Sequence, residues 1–586
     1  MAFDGIITKK IVGELQNIIG YKIDKIYQPD KNNIILGLYG KNLNLNLQIC
    51  ISSQNYRLNL TSHLPKNPQT APNFCMLLRK HILGYRIKKI YSIDLERIVF
   101  IDLENNENPN KTIIKKLIVE LMGKHSNIIL TDTNSIIIDC LRHTSTLEKS
   151  YRDMYPFAKY IFPEPTKYSF IELKDFNEFY LKINTYLSNN LKINTISIDN
   201  IDSVISNTFN GISKSFIRNI VNLLNITNIF DKTLELIYNK TKQIINNPNV
   251  NIQILNDNDF FPFVCTDENT NIITKSDTFP INLTIDDFYY KKENSELFIT
   301  YRNSMLNLIL ETLKKYNKRL INIDTKLLDC KNKDIYRLYG ELITANLYKI
   351  SNKNLDKIEL ENYYNNNEII KIPLNPMYSP SYNAKQYFKK YSKLKNAIDI
   401  VNKQKEETTN DINYIESVSY EITSANTILD LEEIYEEISN NNILFNITKK
   451  NNSISKKNTK NKNSKKLAKN KFASFNPLKY VINNYTILVG RNNIENDYLT
   501  CKFAKKNDLW FHTKDTHGSH VILKTESVKN IPEEIIYEAA KLAVSHSKAK
   551  NSSHTPVDYC FVSNVRKPSG SKPGFVIYSN NKTIYV

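Results

Sequence analysis

Short apolar runs separated by turn signals fill roughly the first 175 residues, a pattern that predicts strands mixed with a few helices. Leu43, Leu45 and Leu47 recur at period two, so 42–50 reads as a strand, and Asn33 to Leu38 reads as another. Met76 to Leu83 has the look of a short basic helix, and Ile87 to Leu103 of a strand pair turning near Asp94 to Arg97. Between about 180 and 255 the pattern becomes helical. There Gly211-Ile212-Ser213, followed by an amphipathic run to Leu224, suits a helix-hairpin-helix turn that offers backbone N–H groups to phosphates. An ordinary helix connection suits it equally.

The region from about 290 to 350 carries the sharpest periodicity. Leu306, Ile309, Leu313, Tyr316, Leu320, Ile323 and Leu327 alternate three and four apart, the seam of a coiled coil. A second arm begins near Ala384, with Tyr387, Tyr391, Leu394, Ile398, Val401, Ile412 and Ile415 in the same spacing and polar Lys405 and Thr408 at two seam positions. The arms are expected to zip antiparallel, with 351–382 as a small unit at the far end; plain helical core is the alternative. No acidic residue separates Glu437 from Glu495, and the Lys/Asn/Ser-rich stretch 449–471 reads as a solvated basic tether. A compact domain follows, with strands at Tyr485 to Val489 and Phe575 to Tyr578 and a helix from Pro532 to Ser547, begun by Glu533 and Glu534. The expected boundaries are therefore 1–175, 176–255, 256–440 with its tip at 351–382, 441–475 and 476–586, in an α+β multidomain chain.

At 586 residues the chain exceeds the size of one core, and its formal charge of +19 points to a polyanionic partner, nucleic acid first. Abundant Lys, Asn and Ile give a compositional account of part of that charge. Seven cysteines stand singly, with no CxxC pair, which argues against a disulfide framework or a cysteine zinc site and fits a reducing cytosol. The start lacks a basic region leading into an apolar run, and no apolar stretch approaches roughly 18 residues, so a cytoplasmic protein without membrane attachment is expected.

Chemistry concentrates near the end. Asn507 to His520 holds the only tryptophan and three of the nine histidines, and aromatic and basic residues interleave in Trp510-Phe511-His512-Thr513-Lys514. That mixture stacks on bases while a cation meets the backbone. The same residues also suit a small core in which His512 and His520 are hydrogen-bonded. Val565 to Gly574 is a basic, glycine-punctuated loop, with Arg566, Lys567 and Lys572 supplying charge to a phosphate. The spacings of His512, His520, His546 and His554 follow no metal-ligand pattern, so no metal and no cofactor are expected. No nucleophile, base and oxyanion set is evident, so no catalytic residue is assigned.

These segments resemble the NFACT family. Asp508, Trp510, His512, Lys514, Asp515, Gly518, Ser519 and His520 fill the family's Asp-x-Trp-x-His-x-Lys-Asp and Gly-Ser-His places, with His517 where proline is common. The loop 565–574, the segments Phe74 to Gly84 and Glu120 to Asn127, and the stretches Tyr339 to Leu347 and Leu374 to Ala384 match as well. The family's Asp-Arg pair for tRNA engagement reads Glu96-Arg97 here, the acid one methylene longer.

The resemblance implies an N-terminal mixed α/β domain similar to that of the formamidopyrimidine-DNA glycosylases, a helix-hairpin-helix domain, a long antiparallel coiled coil and a C-terminal α/β RNA-binding domain. Glycosylase chemistry is not expected, because Met1-Ala2-Phe3-Asp4 lacks the proline nucleophile and neighbouring glutamate. The implied activity is ribosome-associated quality control without enzymatic chemistry. The protein would bind an obstructed large (50S) ribosomal subunit with peptidyl-tRNA and recruit alanyl-tRNA for template-free alanine tailing of the stalled chain. Partners would be ribosomal RNA, tRNA and a small RNA-binding assisting factor. Glu96, Arg97, Lys124 and His125 would contact tRNA, and Trp510, His512, Lys514, His520, Arg566, Lys567 and Lys572 other RNA. A fibronectin-binding surface adhesin and a glycosylase-like nucleic-acid enzyme are the competing classes.

Overall fold

A computed structural model of the chain describes residues 3–105, 113–144, 152–189, 196–247, 250–256, 259–264, 279–350, 355–440, 475–525 and 531–586. The expected tether at 441–475 lies, but for Phe475, outside the described residues. Two compact units divide the chain, Met1–Glu296 and Leu297–Val586.

The first unit is built on a nine-stranded antiparallel sheet. From one edge its strands are Arg57–Leu60, Leu43–Cys50, Asn33–Gly40, Lys22–Asp30, Arg86–Ser92, Ile98–Asn105, Ile113–Glu120, Asn127–Thr131 and Ile137–Cys140. The expected strands at 33–38 and 42–50 pair across a two-residue turn, Lys41-Asn42, where both φ angles are positive, as the twist of a tight hairpin demands. Alternation then assigns faces. Val99, Ile101 and Leu103 join the core under the helices Gly5–Leu15 and Asn73–Ile82, whereas Ile98 and Phe100 pack with Ile118, Met154 and Tyr160 on the other side. The helices Phe176–Ser188, Ile201–Thr208, Lys214–Leu223 and Asp231–Asn246 gather around Phe179, Phe209, Ile217 and Ile237.

In the turn between the second and third of these helices Gly211 has φ +68. The N–H groups expected to face phosphate are turned inward. Gly211 N donates to Asn210 Oδ1 at 3.0 Å and Ser213 N to Asp4 Oδ2 at 3.4 Å. The turn thus fastens the first helix of the chain, and its side chains, rather than these N–H groups, are what it can offer a ligand.

The helix Pro280–Lys331 begins in the first unit and ends in the second. In the second unit it pairs antiparallel with Pro380–Ser424, since Met305 and Ile309 pack with Ile415, Val418 and Ile422 while Asp324 meets Lys405 at 2.8 Å. The polar seam positions are accounted for: Lys405 is exposed and ion-paired, and buried Thr408 donates to the Gln404 carbonyl at 2.7 Å. The tip holds the helix Lys333–Ala345 and a hairpin of Lys357–Asn362 with Glu368–Pro373. Closing the chain is a six-stranded sheet, ordered Leu478–Ile482, Tyr485–Val489, Val521–Leu523, Leu509–Thr513, Pro556–Phe561 and Lys582–Tyr585. The helix Glu533–Ser545 covers one face of it through Ile535, Ala539 and Ala543.

Candidate RNA interface

In the first unit, Glu96 and Arg97 sit on a tight loop anchored by buried Leu95. Asn210 donates a hydrogen bond to the Glu96 carboxylate, so the longer acid reaches the helical turn behind it. Burial raises the Glu96 pKa, against the pull of Asn210 and Arg97. Arg97 Nη1 donates to Tyr56 Oη at 3.2 Å. Tyr56 also borders Gly123, the first residue of the single turn Gly123–His125 that exposes Lys124 and His125. Tyr56 therefore lies between Arg97 and the turn that carries Lys124 and His125. Sequence reading passed over Tyr56, one of 36 tyrosines with nothing local to single it out.

Three further residues complete this locus. Arg142 pins the Gly123–His125 turn by donating to the carbonyls of Lys124 at 3.1 Å, Ser126 at 3.2 Å and Ile51 at 2.7 Å. Lys167 donates to the Ser206 carbonyl at 2.7 Å, and burial, followed by the nearby Arg97 charge, lowers its pKa. Asp4 caps the first helix at Ile7 N and accepts from Ser213 Oγ at 2.7 Å; burial pushes it up to about 6.

At the other end of the chain, period-two alternation separates Phe511 from Trp510. Phe511 faces the helix Glu533–Ser545, while Trp510 turns to the opposite side with Leu488, Leu499, Ile522 and Cys560. Trp510 is only 1% exposed and His520 2%, which corrects the expectation that both lie on the RNA surface. Their rings instead build a floor: His512 stacks on Trp510 at 5.7 Å and His520 meets it edge-on at 5.3 Å. His520 Nδ1 shares a hydrogen bond with Thr500 Oγ1 at 2.8 Å. Burial pulls the His512 pKa down to about 4 and that of His520 to about 3, so both are neutral at physiological pH. Trp510 Nε1 is buried and has no partner among the described residues.

Of the expected RNA-contact cations, Lys572 lines the cleft with these rings. Lys514, Arg566 and Lys567 are exposed and Lys572 is half-buried. Asp497 fixes their loop, accepting from Lys567 Nζ and, at 2.9 Å, from Gly574 N. Between these loops and residues 407–417 of the long helix lies a cleft of about 870 Å³ floored by Trp510, His512 and His520.

Behind the cleft two carboxyls are buried together. Glu437 Oε1 accepts from Tyr414 Oη at 2.6 Å and Asn493 Nδ2 at 3.3 Å, and Glu421 lies close enough for its charge to be felt. Burial raises Glu437 to about 7 and holds Glu421 well above the carboxyl range. A carboxyl whose pKa is raised on folding keeps its proton longer in the folded chain, so its stabilising share is full below the ordinary carboxyl range and is lost as pH rises through about 7. Glu437→Gln keeps the Oε1 acceptor without the charge. It is expected to stabilise the unit by about 1–2 kcal/mol at about pH 8 and to change little at about pH 5. Thermal unfolding at the two pH values checks this, and an equal gain at both would reject it.

Asp139, Cys140 and His143 bring one ligand-type atom each within 4.8 Å of one another. The Cys140 thiol, however, donates to the carbonyls of Arg142 at 3.2 Å and Met154 at 3.3 Å, and burial pushes it up to about 12. A thiol so held stays protonated, which suits packing rather than metal ligation.

A sheet-based first unit with a cationic loop cluster, long paired helices and a basic α/β module define a basic multidomain α+β protein. Comparison with known proteins makes the class specific. A family model described as NFACT N-terminal and middle domains matches residues 4–460, and one described as NFACT protein RNA binding domain matches 471–579. The chain belongs to the NFACT family. It is 33% identical over 598 residues to the Bacillus subtilis (strain 168) protein named Rqc2 homolog RqcH, covering 100% of this chain and 98% of that one. A Streptococcus suis (strain 05ZYH33) protein of the same name is 32% identical over 593 residues, covering 100% of this chain and 98% of its own length. The Methanocaldococcus jannaschii protein named Archaeal Rqc2 homolog aRqcH is 25% identical, with 94% of this chain and 82% of that one covered. No described helix is long and apolar enough to cross a membrane.

Proposed function

We propose that this protein is a ribosome quality control factor of the cytoplasm. In this reading it binds the large ribosomal subunit obstructed by peptidyl-tRNA and recruits alanyl-tRNA for template-free alanine tailing, aided by a small RNA-binding factor. The observation that carries the reading is identity to Rqc2 homologs over the whole chain rather than over one domain. The reading takes its domains from the sequence: 1–175 as the glycosylase-like N-terminal domain, 176–255 as the helix-hairpin-helix domain, 256–440 as the coiled-coil arms, 441–475 as a basic linker and 476–586 as the RNA-binding domain.

The residues divide the work. Arg97, Lys124 and His125, grouped around Tyr56, meet tRNA phosphates, while Glu96 holds its loop to Asn210 and keeps Arg97 in place. Lys514, Arg566, Lys567 and Lys572 meet RNA from the second unit, on the buried Trp510, His512 and His520 floor. Peptide-bond formation is left to ribosomal RNA, with the protein acting by placement.

Affinity purification from cells with sequencing of the bound RNA tests the reading. Wild type is expected to enrich large-subunit RNA with a narrow set of tRNAs. A Glu96→Ala, Arg97→Ala variant should keep the ribosomal RNA and lose the tRNAs by about tenfold or more, as expected when a charged contact to RNA is truncated. Absence of both RNAs from the wild type would end the proposal.

A further inference from the structure

The wall of the Trp510 cleft opposite the basic loop is acidic. Glu407, Asp411 and Glu416 of the helix Pro380–Ser424 all line it. Two of them meet basic side chains of the RNA-binding domain. Asp411 Oδ1 lies 3.6 Å from Lys572 Nζ, and Glu416 Oε2 lies 3.4 Å from His517 Nε2. Glu407 and Asp515 also line the cleft, so four carboxylates and a single lysine share its walls. A phosphate entering the cleft to reach Lys572 therefore meets a lining of net negative charge.

We infer that the acidic face of residues 407–416 is a built-in cover that takes the place of an RNA backbone on the C-terminal domain, and that single-stranded RNA must displace it to reach Lys572. The inference rests on the proposed RNA role of the 566–574 loop. The cover is weak by construction, because each of its ion pairs is partly exposed to water. A separate fastening, Arg491 with Asp430 at 2.9 Å, holds the same domain through residues that do not line the cleft and need not open with it.

The test uses the full chain and a labelled single-stranded oligoribonucleotide at low ionic strength. A Glu407→Gln, Asp411→Asn, Glu416→Gln variant is expected to bind about three- to tenfold tighter than wild type, and Lys572→Ala more weakly. Trp510, the only tryptophan, floors the cleft and supplies an independent signal. RNA should shift its emission in the wild type, and the triple variant should show the shifted emission before RNA is added. Unchanged or weaker binding by the triple variant, with Arg566→Ala, Lys567→Ala and Lys572→Ala still lowering affinity, would overturn the cover and leave the RNA surface standing. If the lysine and arginine variants also bind like wild type, the RNA role of the loop fails and the cover fails with it.

Discussion

Gly211→Ala is expected to destabilise the first unit by about 2–5 kcal/mol and to strip tRNA from the purified protein, although residue 211 carries no side chain to bind anything. Its φ is +68, and a Cβ there would sit 2.0 Å from the Leu95 carbonyl oxygen. Gly5 presses on the same carbonyl from the other side, where a Cβ would come within 1.8 Å, and Gly5 N donates to the Gly211 carbonyl at 2.9 Å. Three backbone segments therefore touch at one point, and the loop carrying Glu96 and Arg97 is the one that must yield. Gly13→Ala is the matched control. Nothing lies within 4 Å of its would-be Cβ in the helix Gly5–Leu15, so alanine is expected to gain about 0.5–1 kcal/mol through helix propensity. Thermal unfolding of the pair, with RNA recovery alongside, decides the matter. A Gly211 variant as stable as wild type would show that this contact does not set the loop.

That junction illustrates what the sequence could and could not disclose. Local patterns were readable: the strand alternation at 43–47, the basic helix realised as Asn73–Ile82, and the heptad seam, all of whose members from Leu306 to Leu327 are buried or half-buried. Each depends on residues a few positions apart. The locus proposed for tRNA, by contrast, joins Asp4, Tyr56, Glu96, Gly123 and Asn210, which lie far apart in the chain and meet only in the folded unit. The same limit explains Trp510. Its neighbours made a surface role plausible, but which face of a strand is covered depends on what packs there, and here loops on both flanks bury the second face of the sheet as well. The acidic cover and the Glu421–Glu437 pair were invisible for a related reason: ordinary surface spacing on a helix says nothing of a domain whose contacting residues come 56 or more positions later.

The largest loss in the second unit is expected from Asp508, a residue that the motif around it marks as functional and the structure marks as a fastener. It is 1% exposed. Its Oδ2 accepts from Lys505 N and Lys524 Nζ, both at 2.8 Å, and its Oδ1 from Thr525 N at 3.2 Å. Those bonds tie the start of the Trp510 strand to the end of its neighbour Val521–Leu523. Asp508→Ala leaves the buried Thr525 N–H without an acceptor and a largely buried ammonium without its counter-charge, a cost of about 2–4 kcal/mol. Asp508→Asn retains an acceptor and should cost about half as much. Because the strand carries the floor of the cleft, the alanine variant is expected to lose RNA binding together with the blue-shifted emission of buried Trp510, at a temperature where wild type keeps both. Retained Trp510 emission with lost RNA binding would instead make Asp508 a contact residue, and the stability of the asparagine variant would then be close to wild type.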